Sequence, residues 1–368
     1  MLPESIGMFE LIRHCQAYFT NKKKETTMQT QPNPSKILQT GMAFWASKTL
    51  LAAVKLGLFS QFNGRPLSTE ELGDRLNFHQ RGRADFFDAL VSLGFLEREG
   101  DGDVALYRNT EETALFLHNN SPQYIGGVLE MANDRLYPFW GDLEEGLKTG
   151  LPQSEIKHTG KHFFEDLYAD PEKLRQFMTA MSGVQMGNFM ALAAKFDFSQ
   201  YSTLCDIGGA GGLLSIQVAS RHPHMQCVTF DLPPVAPIAR NTIEEAGLSN
   251  RVSAESGNFF EDEFPKADVI TMGNILHDWN LENKKMLLKK AYRALPDGGV
   301  LIVIENIIDD ERRENSFGLL MSLNMLVELG DGFDFTGADF NGWARETGFR
   351  ETQIMPLAGP ASAAIAYK

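Results

Sequence analysis

The chain has 368 residues, 43% hydrophobic and 22% charged, an ordinary balance for globular domains that bury a core and enough length for roughly two of them. Its 34 basic and 48 acidic side chains leave a formal charge of −14, which argues against nucleic acid or an anionic membrane as the main partner. No apolar run approaches the ~20 residues of a membrane-spanning helix. Three cysteines (Cys15, Cys205 and Cys227) with no CxxC or HExxH spacing exclude a disulfide framework, so a cytoplasmic protein without a metal site is expected.

Residues 1–33 are expected to form a flexible arm and linker. The stretch up to Thr27 has no long apolar core or small-residue cleavage site, Lys22-Lys23-Lys24 reads as a solvated run, and the polar MQTQPNPS from Met28 reads as linker. From Pro34 the pattern turns helical. Phe44, Trp45, Leu50, Leu51, Val54, Leu56, Leu58 and Phe59 crowd one helix and its exit at Gly57. Ser68-Thr69-Glu70-Glu71-Leu72 reads as a capped helix start. A further helix carries Phe86, Phe87, Leu90, Val91 and Leu93 and stops at Gly94. Two short β-type runs, 95–98 and 104–107, then flank Glu99-Gly100-Asp101-Gly102-Asp103, a hairpin signature. Helices followed by a hairpin make 34–115 a winged-helix domain.

Residues 116–195 read as helical, with Asp170-Pro171-Glu172 opening one long helix. Its Met178, Met181, Met186, Phe189 and Met190 suit plain core, or an adaptable apolar lining. From 196 to 368 the texture is α/β. Runs at Thr203–Ile207, Cys227–Asp231, Val252–Glu255, Val269–Met272 and Val300–Glu305 alternate with helical segments, which implies a parallel sheet whose ligand lies beyond the carboxyl ends of the strands.

The residues at those ends are therefore the informative ones. Asp206-Ile207-Gly208-Gly209-Ala210-Gly211-Gly212 lets the backbone approach a ligand closely before a helix from Leu213. Asp231, ending the second strand, is placed to bind a ribose diol. An NAD-type site is the alternative, but a GxGxxG register starting at Gly208 puts Ala210 and Leu213 where glycines are needed, which favours another nucleoside. Asn258 and Phe259, after the third strand, could read and cover a purine. The fourth strand leads to Asn274-Ile275-Leu276-His277-Asp278-Trp279. His277 stands at the ligand edge, with Glu305 ending the neighbouring strand and Asp334 on a later loop, the carboxylate-backed imidazole of a general base.

The combination of the Asp206 loop, Asp231-Leu232-Pro233, Gly257-Asn258-Phe259-Phe260 and Leu276-His277-Asp278-Trp279, behind a winged-helix start, resembles the small-molecule O-methyltransferases dependent on S-adenosylmethionine. That family includes plant caffeate and flavonoid enzymes, the acetylserotonin enzyme and bacterial enzymes of secondary metabolism. The resemblance covers about Pro34 to Lys368. It implies a class I methyltransferase domain, Rossmann-like, with a mainly parallel seven-stranded sheet, and an N-terminal domain that forms a homodimer rather than binding nucleic acid.

Residue by residue, the resemblance implies that Asp206, Gly208, Gly209, Gly212, Asp231, Leu232, Asn258, Phe259 and Asn274 hold S-adenosylmethionine and release S-adenosylhomocysteine. His277 is implied as the base, flanked by Glu305 and Asp334, and Trp140, Phe177, Met178, Met181, Asp278 and Met325 as residues facing a small apolar or aromatic acceptor. Three positions depart from the family pattern: Ala210 for glycine, Asn258 for aspartate and Asp334 for glutamate.

Two rival readings stand beside this one. The acceptor could be a thiol, or the fold could serve non-methylating chemistry. A winged-helix regulator would need a basic recognition helix, and Gln80-Arg81-Gly82-Arg83 is locally basic but set among Asp85, Asp88 and later acids.

Overall fold

The computed structural model describes residues 32–121, 123–160, 167–168 and 170–368, so the expected N-terminal arm, apart from residues 32 and 33, falls outside the described residues. The described chain divides into two units. One holds residues 32–138 with Thr179–Val184, the other Phe139–Met178 with Gln185–Lys368.

In the first unit, α1 (Ser35–Lys55) ends before Gly57, whose φ of 66° is left-handed and stops the helix. α2 (Thr69–Arg75) starts in a full capping box, with the Ser68 hydroxyl accepting from the Glu71 backbone and the Glu71 carboxylate accepting from the Ser68 backbone. α3 (Gln80–Ser92) stops short of Gly94 (φ 79°). The wing is a three-stranded sheet in the order β1 (Leu67–Ser68), β3 (Leu106–Asn109), β2 (Leu96–Glu99). Its strands sit one to two residues beyond their expected places, because Gly100 and Gly102, both at positive φ, stretch the turn into a 3-10 segment over Gly102–Val104. Leu58, Phe59, Leu67, Leu72, Phe87, Leu90 and Tyr107 form the buried core. Within the locally basic segment, Arg81 pairs with Asp85, and Arg83 pairs with Asp74 at 2.8 Å while donating to the Phe78 carbonyl.

In the second unit, α4 (Pro171–Lys195) precedes a seven-stranded sheet. Its strands are β4 (Thr203–Ile207), β5 (Gln226–Asp231), β6 (Val252–Ser256), β7 (Val269–Gly273), β8 (Val300–Glu305), β9 (Glu351–Pro356) and β10 (Ser362–Tyr367), in the spatial order 6-5-4-7-8-10-9. The first five are parallel, and β10 runs antiparallel between β8 and β9. This is the expected mainly parallel α/β sheet. β8, VLIVIE, is buried at all six positions, because a central parallel strand is covered on both faces.

Successive side chains feed opposite cores. Cys205, Ile207, Leu301, Val303, Ala364 and Ala366 meet Leu287, Leu288 and Phe340 on one face. Leu204, Val300, Ile302, Ile304, Ala363 and Ile365 meet Leu192, Leu214 and Val218 on the other. Strand order reverses between β4 and β7. Their diverging connections open a crevice at the carboxyl edge, where a ligand of an open α/β sheet belongs. No described helix is long and apolar enough to cross a membrane.

Candidate active site

The crevice is floored by bare backbone. A Cβ on Gly208 (φ 68°) would lie 2.3 Å from Ile275 Cδ1, and one on Gly209 would lie 2.2 Å from Thr229 Oγ1 and 2.7 Å from Asp206 Oδ2. Glycine is therefore required by space at Gly209, and by its left-handed conformation at Gly208, where the clash is with the movable tip of Ile275. Ala210 holds a left-handed φ of 45°. It keeps that strained turn while its N–H donates to Asp231 Oδ2 at 2.9 Å. Leu232 N–H donates to Asp231 Oδ1 at 2.7 Å, so two backbone groups orient the carboxylate at the end of β5. Each of its oxygens retains a lone pair for a diol. Burial raises Asp231 to about 6, with these two bonds opposing the shift.

Asp206 is 3% exposed and lies beneath the loop, accepting from Thr271 Oγ1 at 2.7 Å. Burial raises it to about 7. Asp206 therefore acts as a support under the glycines. Gly212 (φ 75°) closes the loop and caps α5 (Leu213–Arg221), and α6 (Ala236–Glu245) follows β5.

After β6, Asn258 forms a turn in which its amide oxygen accepts from Phe260 N–H at 3.0 Å. The oxygen expected to meet a purine amino group thus has one lone pair already engaged. Phe259 packs edge-on against Phe260 and Trp279, and its ring edge comes within 3.9 Å of the Gly208 Cβ position. The turn is pinned from beneath by Lys290 of α7 (Leu281–Ala294), whose ammonium donates to the carbonyls of Phe259 (2.7 Å) and Asp262. Asn274 follows β7 at φ 53°, a conformation asparagine tolerates. Its Oδ1 accepts from Gln185 Nε2 at 2.9 Å, and Gln185 in turn accepts from Asn188 at 3.0 Å, both on α4.

His277 lies in the short turn Leu276–Asp278 and is 5% exposed. Its Nδ1 is 3.7 Å from Glu305 Oε2 and 3.6 Å from Asp334 Oδ1, and its Nε2 is 3.4 Å from Asp278 Oδ1. These are ion-pair separations, longer than hydrogen bonds. Nδ1, Glu305 Oε2 and both Asp334 oxygens accordingly carry no hydrogen bond. Burial favours the neutral imidazole, but Glu305, Asp278 and Asp334 outweigh it and raise His277 well above its ordinary range. Burial likewise raises Glu305, against the pull of the imidazole, and raises Asp278 to about 6. The fold thus brings together His277, Glu305 and Asp334, the three residues expected as base and flanking acids, with polar atoms within 4.8 Å of one another.

Three contacts bring Asp334 to this place. Ile308, just past β8, bridges to Thr336 and donates to the Phe335 carbonyl at 3.0 Å. Asp334 N–H donates to Ser322 Oγ at 3.2 Å. Gly332 lies against the turn so closely that a Cβ would fall 2.8 Å from the carbonyls of both His277 and Asp278. Neither Gly332, Lys290 nor Gln185 stands out in the sequence.

The residues expected to face an acceptor divide. Trp140 Nε1 donates to Asn324 Oδ1 at 2.8 Å, beside buried Met325 on α8 (Ser316–Leu329). Phe177 and Met178 belong to a small cluster with Leu167, Leu174, Val235 and Ala210, and Met178 Cε lies 3.8 Å from the Gly211 Cβ position. Met178 is thus buried against the glycine loop. Met181 falls in the first unit.

The bare-backbone cradle, the oriented carboxylate of Asp231 and the ring of Phe259 beside the loop fit a nucleoside bound along the carboxyl edge. Gly209→Ala is expected to cost about 1–3 kcal/mol of stability through overpacking against Thr229 and Asp206. It should also abolish calorimetric binding of S-adenosylhomocysteine at concentrations that saturate the parent, whereas unaltered binding would remove the loop from the site.

Residues 140–350 match the family model of the O-methyltransferase domain, and residues 38–119 that of the O-methyltransferase dimerisation domain. The chain is 38% identical over 335 residues to the tetracenomycin polyketide synthesis 8-O-methyl transferase TcmO of Streptomyces glaucescens, covering 91% of this chain and 97% of that one. It is 34% identical to the N,N-dimethyltransferase OxyT of Streptomyces rimosus, over 86% and 91% of the two chains. Among solved structures, human N-acetylserotonin methyltransferase in complex with S-adenosylmethionine superposes with a TM-score of 0.84 at 28% identity, over 93% of this chain and 99% of that one. The sheet order, the cradle at its carboxyl edge and these matches together make the chain a member of the S-adenosylmethionine-dependent O-methyltransferase family.

Proposed function

We propose that the chain methylates a hydroxyl, phenolic in character, on a small apolar or aromatic metabolite, with His277 as general base. The observation that carries this reading is the buried imidazole at the sheet's carboxyl edge, with Nδ1 turned toward two carboxylates and Nε2 on the side of Asp278. Glu305 and Asp334 favour the proton on Nδ1, which leaves Nε2 as the acceptor. S-adenosylmethionine, when bound, supplies a methyl group already activated on a sulfonium sulfur. What remains for the chain is alignment, worth about 7–11 kcal/mol in favourable cases, and removal of a proton.

In this reading the backbone at Gly208, Gly209 and Gly212 carries the methionine end of the cofactor, with Asp206 beneath it. Asp231 and Leu232 receive the ribose, Asn258 and Phe259 the adenine, and Asn274 the edge of the crevice. Nε2 takes the hydroxyl proton as the oxygen attacks, and the three carboxylates stabilise the imidazolium that forms. The same carboxylates make the neutral base scarce near neutral pH, so turnover should climb with pH above the usual imidazole range.

Trp140, Phe177, Asp278 and Met325 supply the acceptor side, Met178 backing the glycine loop. A homodimer through the first unit agrees with its dimerisation-domain match and with the exposed Ile37, Leu38, Met42, Phe44 and Trp45 along α1. The similarity to OxyT supports a second reading, an amine acceptor, which needs no proton removed before attack.

His277→Ala is expected to leave S-adenosylhomocysteine binding intact and to lower turnover on phenols by roughly 10²–10⁴-fold. Near-normal turnover on phenols would remove the base role. An amine acceptor turned over well by this variant would establish the second reading. Asp334→Asn removes one carboxylate that favours the imidazolium. Its rising kcat/KM limb should therefore move to lower pH, by about one unit, and an unmoved or raised limb would contradict the assigned electrostatics.

A further inference from the structure

α7 buries two of its lysines. Lys284 donates to the Trp279 carbonyl and lies among the acids around His277. Lys290 is 4% exposed, beside the exposed Lys289, and serves a different stretch of chain. Its ammonium donates to the carbonyls of Phe259 (2.7 Å) and Asp262, and stands 5.1 Å from the ring centroid of Phe264. Burying an ammonium is costly unless its donors are used, and these two carbonyls use them.

Residues 257–262 belong to no helix or strand, so their backbone groups find partners one by one. Gly257 N–H donates to the Asp231 carbonyl at 2.9 Å, which ties the turn to the end of β5. The Asn258 carbonyl accepts from Glu261 (3.0 Å) and Asp262 (2.8 Å), and the Asp262 carboxylate accepts from Asn258 N–H at 2.8 Å. The peptide between Phe259 and Phe260 is held at both ends. Its N–H donates to Asn258 Oδ1 at 3.0 Å, and its carbonyl, pointing the opposite way, accepts from Lys290. The plane of that peptide sets where the Phe259 ring leaves the chain and which way the Asn258 amide faces. Without the ammonium, two carbonyls lose their partner. Turning them toward water relieves that loss, but it rotates the peptide and releases Asn258 Oδ1.

We infer that Lys290 is a positioning residue for the cofactor, its buried ammonium holding the 257–262 turn in the shape that presents the Asn258 amide and the Phe259 ring to the nucleoside base. The inference rests on the reading that Asn258 and Phe259 receive the adenine. The lysine itself touches no ligand. It keeps the binding-competent turn populated before the cofactor arrives. If only about a tenth of the molecules keep that shape once the ammonium is gone, affinity falls about tenfold with no ligand contact removed. A lysine that merely stabilised the fold would change the fraction of folded protein and leave the affinity of that fraction as it was.

The test measures S-adenosylhomocysteine binding to the full chain by calorimetry, which separates affinity from the fraction of competent protein. Lys290→Met keeps an apolar stem and removes the donors. Its dissociation constant is expected to rise about tenfold at unchanged stoichiometry. Lys290→Arg, which keeps the charge and the donors, should restore most of the affinity. In a Phe259→Ala background, where the positioned ring is gone, Lys290→Met should weaken binding by a clearly smaller factor than in the parent. An unmoved dissociation constant in a folded Lys290→Met would overturn the inference, and so would an equal loss in both backgrounds. Should Lys290→Met not fold, Lys290→Gln leaves a donor for one of the two carbonyls. It is expected to weaken binding by a smaller factor, and unmoved affinity there would equally overturn the inference. Unaltered binding in Phe259→Ala alone would remove the adenine reading on which the inference stands. Weakened binding in that variant with unmoved affinity in Lys290→Met would remove only the role given to the lysine.

Discussion

An imidazole held among three carboxylates in a nearly dry pocket is the interaction on which this molecule depends. Isolated charges in such a place are costly, and they persist when opposite charges and polar groups surround them. His277 and Lys284 supply positive charge, while Glu305, Asp334 and Asp278 supply negative charge. Removing either cation would leave the carboxylates less compensated. The cluster therefore constrains four separate pieces of chain: the turn after β7, the end of β8, the start of α7 and the loop after α8.

The sheet makes that convergence possible. β7 and β8 are parallel neighbours, so the turn carrying His277 and the strand end carrying Glu305 emerge side by side at one edge. On the far side of the reversal in strand order, β4 and β5 deliver the glycine cradle and Asp231 to the same edge. Small residues set the distances. Gly209 brings the loop onto Thr229 and Asp206, and Gly332 brings the Asp334 loop onto the carbonyls of His277 and Asp278. Glycine cradle and acid cluster are thus consequences of one topology, with close backbone approach at two glycines.

Much of this was legible in the sequence where a single local rule decided the outcome. The runs Thr203–Ile207 and Val300–Glu305 are strands over those very residues, because short runs rich in β-formers between turn signals admit little else. Gly57 and Gly94 follow their helices at positive φ, and Ser68 caps α2. The wing was less legible, since two glycines in one turn leave the register to tertiary packing. β9 was expected only through the family resemblance. It is a mostly exposed edge strand, ETQIMP, without a clean alternation. In the site, the strand-end residues could be read because topology places every strand end at one edge. Lys284 could not be, since a lysine in a lysine-rich helix reads as solvated. Its position on the stripe with Leu287 and Ala291 was the available signal. Met178, expected on the acceptor side, is buried in a cluster with Val235 and lies beside Gly211.

The central claim is that Nε2 of His277 receives the proton of the accepting hydroxyl. A crystal structure of the full chain with S-adenosylhomocysteine and a phenol that the enzyme methylates tests it most directly. The account requires the phenol oxygen to lie about 2.6–3.2 Å from His277 Nε2, on the side away from Glu305 and Asp334. A productive phenol whose oxygen is held by another residue, with the imidazole out of reach, would contradict it.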